Sequence, residues 1–250
     1  MQKPAGYEEL FPRPLSGEAV AKPPPALVPA RTDLEGSHVV LEPQTADRHA
    51  GELFRAGHDT KQALAIWDYL TYGPWDSEAD YADVLRAQSA SFDPVFYSIR
   101  SRQSGKACGQ ASFLDINAQN GVIEIGHIWF GPELQRTSAA TEALFLMLCY
   151  AMDGLGYRRM QWRCNSLNEK SRTAARRLGF RFEGIFYNHL IFKGRNRDTA
   201  WYSILDDEWP EVREIIAGWL DPSNFTVDGM PKTSLSDTME IRSPSTRGQP

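Results

Sequence analysis

The stretch from Glu124 to Thr141 joins a predicted strand, a short polar turn and the start of a helix. Unpaired N–H groups at a helix N-terminus, together with the positive end of the helix dipole, favour phosphate oxygens. Small side chains let the backbone approach such a ligand closely, and the turn offers Thr137, Ser138, Ala139 and Ala140. The segment therefore predicts an anion site, although a plain strand-turn-helix connection with Ser138 as N-cap would use the same residues.

Glu124 is the candidate general base, because it lies on the strand that leads into this site and burial could shift its pKa. The same carboxylate could instead be structural and pair with a neighbouring arginine, and the sequence leaves both alternatives open. His127 lies three residues further along. Side chains alternate between the two faces of a strand, so His127 is predicted on the face opposite Glu124 unless a β-bulge intervenes.

The composition of the chain is that of a globular protein. It has 250 residues, of which 42% are hydrophobic, and a formal net charge of -5. This charge provides no global positive field for nucleic acid or an anionic membrane. No apolar run approaches the roughly 18 residues of a membrane span, and the N-terminus lacks the apolar core of a signal peptide. The sequence predicts a soluble cytoplasmic protein with no nucleic-acid or membrane partner.

The cysteines and histidines show no metal-binding pattern. Cys108, Cys149 and Cys164 are widely spaced without a CxxC pair, and the five histidines are scattered along the chain. Zinc sites need closely spaced pairs of such ligands. The sequence therefore predicts free buried thiols and no metal.

Polar and proline-rich segments flank a central region with regular apolar patterns. Residues 1–33 contain seven prolines and predict a flexible arm. Residues 222–250 are rich in Ser, Thr, Pro and Gly and predict a disordered tail. The folded domain is therefore predicted over residues 34–221.

Strand and helix patterns follow one another in a mixed order inside this domain. Short turns separate predicted strands at 95–100, 107–115 and 121–130, which indicates an antiparallel meander. Apolar spacing predicts a helix over 139–155, and a strand-helix-strand pattern follows over 157–192. The pattern predicts a mixed α/β fold, α+β-like, with about seven strands in one twisted sheet flanked by helices.

An ordered set of short motifs resembles the GNAT superfamily of N-acetyltransferases, in the branch that includes ribosomal-protein N-terminal acetyltransferases. The resemblance extends over about residues 36–210. Each motif is weak alone, and the ordered set is specific: Glu124-Ile-Gly, Gln135-Arg-Thr-Ser-Ala-Ala-Thr-Glu, Asn168-Glu-Lys-Ser-Arg172, Leu178-Gly-Phe, Glu183-Gly, and Arg197-Asp-Thr with Tyr202-Ser. The resemblance implies a sheet in which two strands part to form a V-shaped slot for acetyl-CoA.

The resemblance also implies where the parts of acetyl-CoA bind. The end of the strand, with Trp129 and Phe130, would pair with the pantetheine arm. The loop would hold the pyrophosphate through Gln135, Arg136, Thr137, Ser138, Ala139, Ala140 and Thr141. Ser138 stands where the family usually has glycine, so a positive φ at this residue would cost roughly 1–2 kcal/mol and weaken binding.

Further residues acquire candidate roles from the same resemblance. Asn168 resembles a cofactor-contacting asparagine, and Ser171 resembles a hydroxyl that protonates the departing thiolate. A helix cap and a passive first-turn residue are the alternatives. The aromatic residues between the first two predicted helices would form the acceptor wall or belong to the core, namely Trp67, Tyr72 and Trp75.

The sequence thus predicts an acetyl-CoA-dependent N-acetyltransferase that acetylates a primary amine directly. The acceptor is a small molecule, slightly favoured, or a protein N-terminus. A homodimer is left open. The alternative is a catalytically silent acyl-CoA-binding or interaction module.

Overall fold

The computed structural model describes Val20 and residues 25–242. The strands are β1 (Leu34–Glu35), β2 (Val39–Pro43), β3 (Val95–Ser101), β4 (Ala107–Asn117), β5 (Val122–Phe130), β6 (Arg159–Asn165), β7 (Arg181–Phe192) and β8 (Arg195–Leu205). The helices are α1 (Ala46–His58), α2 (Lys61–Leu64), α3 (Glu78–Ala90), α4 (Ser138–Cys149), α5 (Glu169–Arg177), α6 (Trp209–Leu220) and α7 (Leu235–Glu240). None of these helices is both long and apolar enough to cross a membrane.

All eight strands form one sheet in the order β1-β2-β3-β4-β5-β6-β8-β7. Every neighbouring pair is antiparallel except β5 and β6, which run parallel. The predicted mixed α/β fold with an antiparallel front half is confirmed. The count differs from the predicted seven strands because the two-residue β1 is too short to show a pattern.

The parallel contact between β5 and β6 is short. It runs from Val122 opposite Arg159 to Glu124 opposite Gln161, and the described strands pair no further with each other. Both strands nevertheless continue, so an opening forms between them toward their carboxyl ends. This is the slot that the sequence resemblance implied.

Each face of the sheet carries its own hydrophobic core, because successive side chains of a strand point to opposite faces. The α4 face lies under α4 and α6 and takes Ile123 and Ile125 from β5 and Met160 and Trp162 from β6. The α1 face lies under α1 and α3 and takes Trp129 from β5. The core of the α4 face therefore spans both sides of the slot.

The terminal segments differ from the predicted arm and tail. Most of the predicted arm, residues 1–19 and 21–24, and the last eight residues of the predicted tail, 243–250, lie outside the described residues. Ala26 N–H donates to Ala118 O and Leu27 N–H to Leu155 O, both at 2.9 Å, so this part of the arm lies against the domain. Beyond residue 221, α7 buries Leu235 and Met239 in the core of the α4 face. The expected disorder is wrong up to residue 242, because these two apolar residues, four apart on a helix, pack on the domain.

Glu142 ties α4 to the turn between β1 and β2. Its Oε1 accepts the N–H of Ser37 at 2.8 Å, and its Oε2 accepts the N–H groups of His38 at 2.7 Å and Val39 at 3.0 Å. Gly36 fits here because a Cβ at that position would come within 2.5 Å of Glu142 Oε2. One buried carboxylate therefore satisfies three backbone donors that would otherwise be unpaired.

Replacing Glu142 with alanine is expected to lower the free energy of unfolding by about 2–4 kcal/mol, because buried donors lose a charged acceptor. Urea unfolding followed by circular dichroism measures this change. Glu214, which is exposed on α6, is the matched control, and Glu214→Ala should change stability by less than about 0.5 kcal/mol. Equal effects of the two substitutions would contradict the anchoring role of Glu142.

Candidate functional site

Glu124 stands at the point where β5 and β6 part. It alternates with Ile123 and Ile125, so its side chain lies on the α1 face, and the residue is only 3% exposed. Its Oε2 forms an ion pair with Nε of Arg163 from β6, and Asp115 from β4 binds the same guanidinium. The pairing with an arginine that the sequence allowed is therefore present, and the paired carboxylate is buried at the slot.

The surroundings of Glu124 raise its pKa from an ordinary 4.5 to about 7. Burial is the largest cause, because it penalises the charged form. The positive charges of Arg163 and Arg197 lower the pKa, and the negative charge of Asp115 raises it. A carboxyl group with a pKa near 7 can accept a proton at neutral pH, as a general base must.

A β-bulge in β5 turns His127 onto the same face as Glu124. The pairing with β4 leaves one extra residue on β5 between Gly126 and Trp129. His127 itself has a φ of 50°, and its ring lies 5.1 Å from that of Phe96 on the α1 face. The predicted placement on the opposite face is therefore wrong, because the bulge breaks the alternation of side chains.

His127 belongs to a hydrogen-bonded group with Tyr72 and Gln110. Its Nδ1 lies 3.0 Å from Tyr72 Oη, and the two rings are stacked 5.5 Å apart. Gln110 Nε2 donates to Tyr72 Oη at 3.1 Å, so the phenol can donate its own proton to Nδ1. Burial and the charge of Arg163 lower the pKa of His127 to about 4. The imidazole is therefore neutral at physiological pH.

The turn after β5 leads directly into the N-terminus of α4. Thr137, and not Ser138, is the N-cap: its Oγ1 accepts the N–H of Ala140 at 3.2 Å. Among the described residues, the N–H groups of Arg136, Ser138 and Ala139 find no protein acceptor. These three donors, at the positive end of α4, fit a phosphate group.

The expected strain falls on Arg136 rather than on Ser138. Arg136 has a φ of 63°, whereas Ser138 is the first helical residue and has no positive φ. The concern that serine replaces a needed glycine is therefore wrong, because the left-handed residue lies two positions earlier.

Three other predicted cofactor residues have side chains that form contacts within the protein. Gln135 Nε2 donates to Phe130 O at 2.9 Å and holds the turn to the end of β5. Trp129 is 3% exposed and packs in the core of the α1 face, so only its backbone can face the slot. Thr141 is buried, and its Oγ1 accepts a hydrogen bond from Arg177 Nη1 at 2.9 Å.

Asn168 and Ser171 lie at the N-terminus of α5, which follows β6. Asn168 is the N-cap, and its Oδ1 accepts the N–H of Ser171 at 3.1 Å. Ser171 Oγ accepts the indole N–H of Trp162 at 3.0 Å and so keeps its own proton to donate. Asn168 therefore caps α5, and Ser171 keeps a hydroxyl proton that it can donate.

The predicted acceptor wall divides into a buried and a slot-facing part. Trp67 is 1% exposed, and its indole N–H donates to Gly57 O at 2.9 Å. Its assignment as a wall residue is wrong, because its ring packs beneath Tyr72 and Trp75 as part of the core. Of the predicted wall residues, it is Tyr72 that stacks on His127.

Two contacts connect this aromatic segment to the other side of the slot. Lys193, in the turn between β7 and β8, donates to Trp67 O at 3.0 Å and to Gly73 O at 3.3 Å. Tyr69 Oη donates to Leu167 O at 3.2 Å, next to the start of α5. The segment therefore spans the opening on the α1 face.

Sequence reasoning missed Arg163, Asp115 and Gln110. Arg163 had a visible signal, because it alternates with the apolar Trp162 and Cys164 and so had to face away from the core of the α4 face. Asp115 and Gln110 had none. Their roles depend on the register of β4 with β5, and both partners of Gln110 lie far away in sequence.

A family model described as "Acetyltransferase (GNAT) domain" matches residues 38–181. A crystal structure of a GCN5-related N-acetyltransferase from Brucella melitensis is 44% identical and covers 87% of this chain and 98% of its own, with a TM-score of 0.85. A "probable acetyltransferases (GNAT family)" structure from Chromobacterium violaceum ATCC 12472 is 38% identical and covers 80% of this chain and 99% of its own, with a TM-score of 0.72. The Bacillus subtilis (strain 168) protein named "Putative ribosomal N-acetyltransferase YdaF" is 27% identical over 68% of this chain and 91% of its own.

Replacing Glu124 with glutamine is expected to make the protein more stable than wild type at pH 8 and equally stable at pH 5. Because the folded pKa of about 7 exceeds the ordinary 4.5, the native state holds a proton that the unfolded state loses. The stability from this group is complete below about pH 4.5 and lost as the pH rises through 7, by roughly 2–3 kcal/mol. Urea unfolding of both proteins from pH 5 to pH 8 measures it. A pH-independent difference would contradict the raised pKa, and Glu214→Gln serves as the surface control.

Proposed function

This chain belongs to the GNAT acetyltransferase family, and we propose that it acetylates an α-amine, with Glu124 as the general base. It is an acetyl-CoA-dependent N-acetyltransferase. The relatives described above are all named as acetyltransferases, and nothing in them supports a catalytically silent module. The open points are the acceptor and the residues that act on it.

The arrangement around the slot fits acetyl-CoA as co-substrate. The free N–H groups of Arg136, Ser138 and Ala139 would hold the pyrophosphate. The unpaired edge of β5 beyond Glu124 would hydrogen-bond the pantetheine arm. Acetyl-CoA supplies an activated acetyl thioester, and the residues of the chain bind it, orient it and move protons.

The raised pKa of Glu124 is the observation that carries the proposal. The acceptor nitrogen forms a bond to the acetyl carbon, the bond from carbon to sulfur breaks, and the nitrogen gives up one proton. Glu124 would receive this proton, directly or through water. Ser171 would donate a proton to the departing thiolate and recover one from solvent.

The need for a neutral attacking nitrogen favours an α-amine over a lysine side chain. At pH 7 an α-amine with a pKa near 7.8 is neutral in roughly a tenth of the molecules, whereas a lysine with a pKa near 10.4 is neutral in only about one of a few thousand. With an α-amine, Glu124 has to take up only the single proton that is released on bond formation. Small molecules and protein N-termini both present such amines, and YdaF carries the word ribosomal in its name.

We also propose the partners, the location and the extent of the catalytic unit. The net charge of -5 speaks against nucleic acid and anionic membranes as partners and is compatible with a cytoplasmic location. The contacts of Ala26, Leu27 and α7 support a catalytic unit that extends over residues 25–242 rather than 34–221.

Replacing Glu124 with glutamine is expected to lower kcat/KM for an α-amine peptide by about 10²–10³-fold at pH 7. The limb of the pH profile with an apparent pKa near 7 should disappear. Thiol release from acetyl-CoA measures the rate, and calorimetry confirms that cofactor binding is unchanged. Asp115→Asn is the matched variant: it should keep activity but move the limb to lower pH, because Asp115 raises the pKa of Glu124.

Peptides separate the acceptor classes in the same assay. A peptide with a free α-amine and blocked lysines should be acetylated roughly 10²-fold faster at pH 7.5 than a peptide with a blocked α-amine and free lysines. This factor is the ratio of the neutral fractions of the two amines. Preference for the lysine peptide would sink the α-amine proposal. Full activity of Glu124→Gln would remove Glu124 as the base, and cofactor binding without thiol release for any amine would contradict catalysis.

Replacing Thr137 with alanine is expected to raise the Kd for acetyl-CoA by about 5–10-fold. The lost N-cap destabilises the first turn of α4 by about 1 kcal/mol, and this turn carries the N–H groups that would bind the phosphate. Ser138→Gly is the neighbouring control and should stay within about twofold, since Ser138 already has helical geometry. Isothermal titration calorimetry measures both. The reverse order of effects would place the sensitive position at Ser138.

A further inference from the structure

β7 is the last strand of the sheet and has a neighbour on one side only. It pairs with β8, and no other described strand approaches its outer edge. At 12 residues it is about twice the usual strand length. Its outer edge therefore offers a long row of backbone donors and acceptors that another strand could use.

The sequence of β7 lacks two of the devices that normally block an open edge, because residues 185–192 contain neither a charge nor a proline. Bulges do interrupt the pairing of β7 with β8, between Phe182 and Gly184 and between Phe186 and Leu190. The charged residues at its start are engaged within the chain, Arg181 with Glu208 and Glu183 with Arg159. The opposite edge of the sheet is β1, which has only two residues. The sheet thus ends in a very short strand at the β1 edge and in a long, unpaired strand at the β7 edge.

Large apolar side chains of β7 lie exposed on both faces of the sheet. Phe182 packs against Tyr202 on the α4 face, and Phe186 packs against Trp201 on the α1 face. A bulge around Asn188 turns the neighbouring residues outward. The exposed set is Phe182, Phe186, Tyr187, Leu190 and Ile191, with Ile191 86% and Tyr187 75% exposed. A strand placed alongside β7 would cover side chains on both faces at once.

We propose that β7 pairs antiparallel with β7 of a second copy of this chain, so that two sheets become one. A strand can always meet its own copy across a two-fold axis, which makes each side complementary to the other. The three aromatic residues alone expose about 350 Å² on typical ring areas, a large part of the about 800 Å² that each partner buries in a stable interface. The absence of charge in residues 185–192 gives no feature that would select a charged partner.

The interface lies close to the acceptor side of the slot. Phe186 contacts Trp201 with ring centres 4.9 Å apart, and Arg163 stacks on the same indole at 4.9 Å. Arg163 in turn holds Glu124. A partner strand on β7 would therefore cover Phe186, which is connected to Glu124 through Trp201 and Arg163.

The test is the solution mass of the full chain measured by light scattering after gel filtration. The wild type should have the mass of two chains of 28.2 kDa at about 10–100 μM. Ile191→Lys should raise the dimer dissociation constant at least 100-fold, because each interface would bury two unpaired charges. Phe92→Lys is the matched control, since Phe92 is equally exposed at 88% and precedes β3, which four strands separate from β7 in the sheet, and it should leave the dimer intact.

Three outcomes would overturn the proposal: a monomeric wild type at 100 μM, a dimer that Ile191→Lys leaves unchanged, or equal dissociation by both substitutions. Should Ile191→Lys fail to fold, hydrogen exchange of wild-type β7 amides at 1 and 100 μM decides the question. Protection that rises with concentration in β7 supports pairing, and concentration-independent exchange contradicts it.

Discussion

The site depends on the limit that the fold sets on pairing between β5 and β6. Three residue pairs hold the two strands together, and beyond Glu124 they no longer pair with each other. Backbone groups inside a protein need partners, so the free edges favour an extended ligand between them. Both strands then lead into capped helices, α4 at Thr137 and α5 at Asn168. The parting of two strands thus brings two helix N-termini to the same opening, as at the carboxyl ends of other parallel strands.

The charge state of Glu124 results from opposing effects. Burial is the largest of them and favours the protonated carboxyl, whereas Arg163 favours the carboxylate. Asp115 raises the pKa of Glu124 further, because it shares the guanidinium with Glu124 and adds a second negative charge. Without Asp115 the arginine would pair with Glu124 alone, and the carboxyl would lie closer to its ordinary acidity. A residue on a third strand therefore tunes the base.

The sequence predicted most elements but not the details that depend on register. Alternation and spacing located the strands and α4. His127 was misplaced because a bulge depends on pairing with β4, which no local pattern reveals. The cost considered for a positive φ at Ser138 does not arise, because the left-handed residue of the turn is Arg136, which the sequence does not reveal. The segment after residue 221 looked polar because only Leu235 and Met239 need to be apolar to dock α7.

The two faces of the slot are held together with very different strength. On the α4 face, one core contains residues of both β5 and β6, so separating the halves would expose many buried side chains. On the α1 face, the halves are joined by the hydrogen bonds of Lys193 and Tyr69 to backbone carbonyls and by the ion pairs of Arg163 with Glu124 and Asp115. A hydrogen bond of this kind contributes only about 1 kcal/mol. The continuous apolar core of the α4 face is therefore the main connection between the two halves, and the polar contacts of the α1 face set the geometry around Glu124.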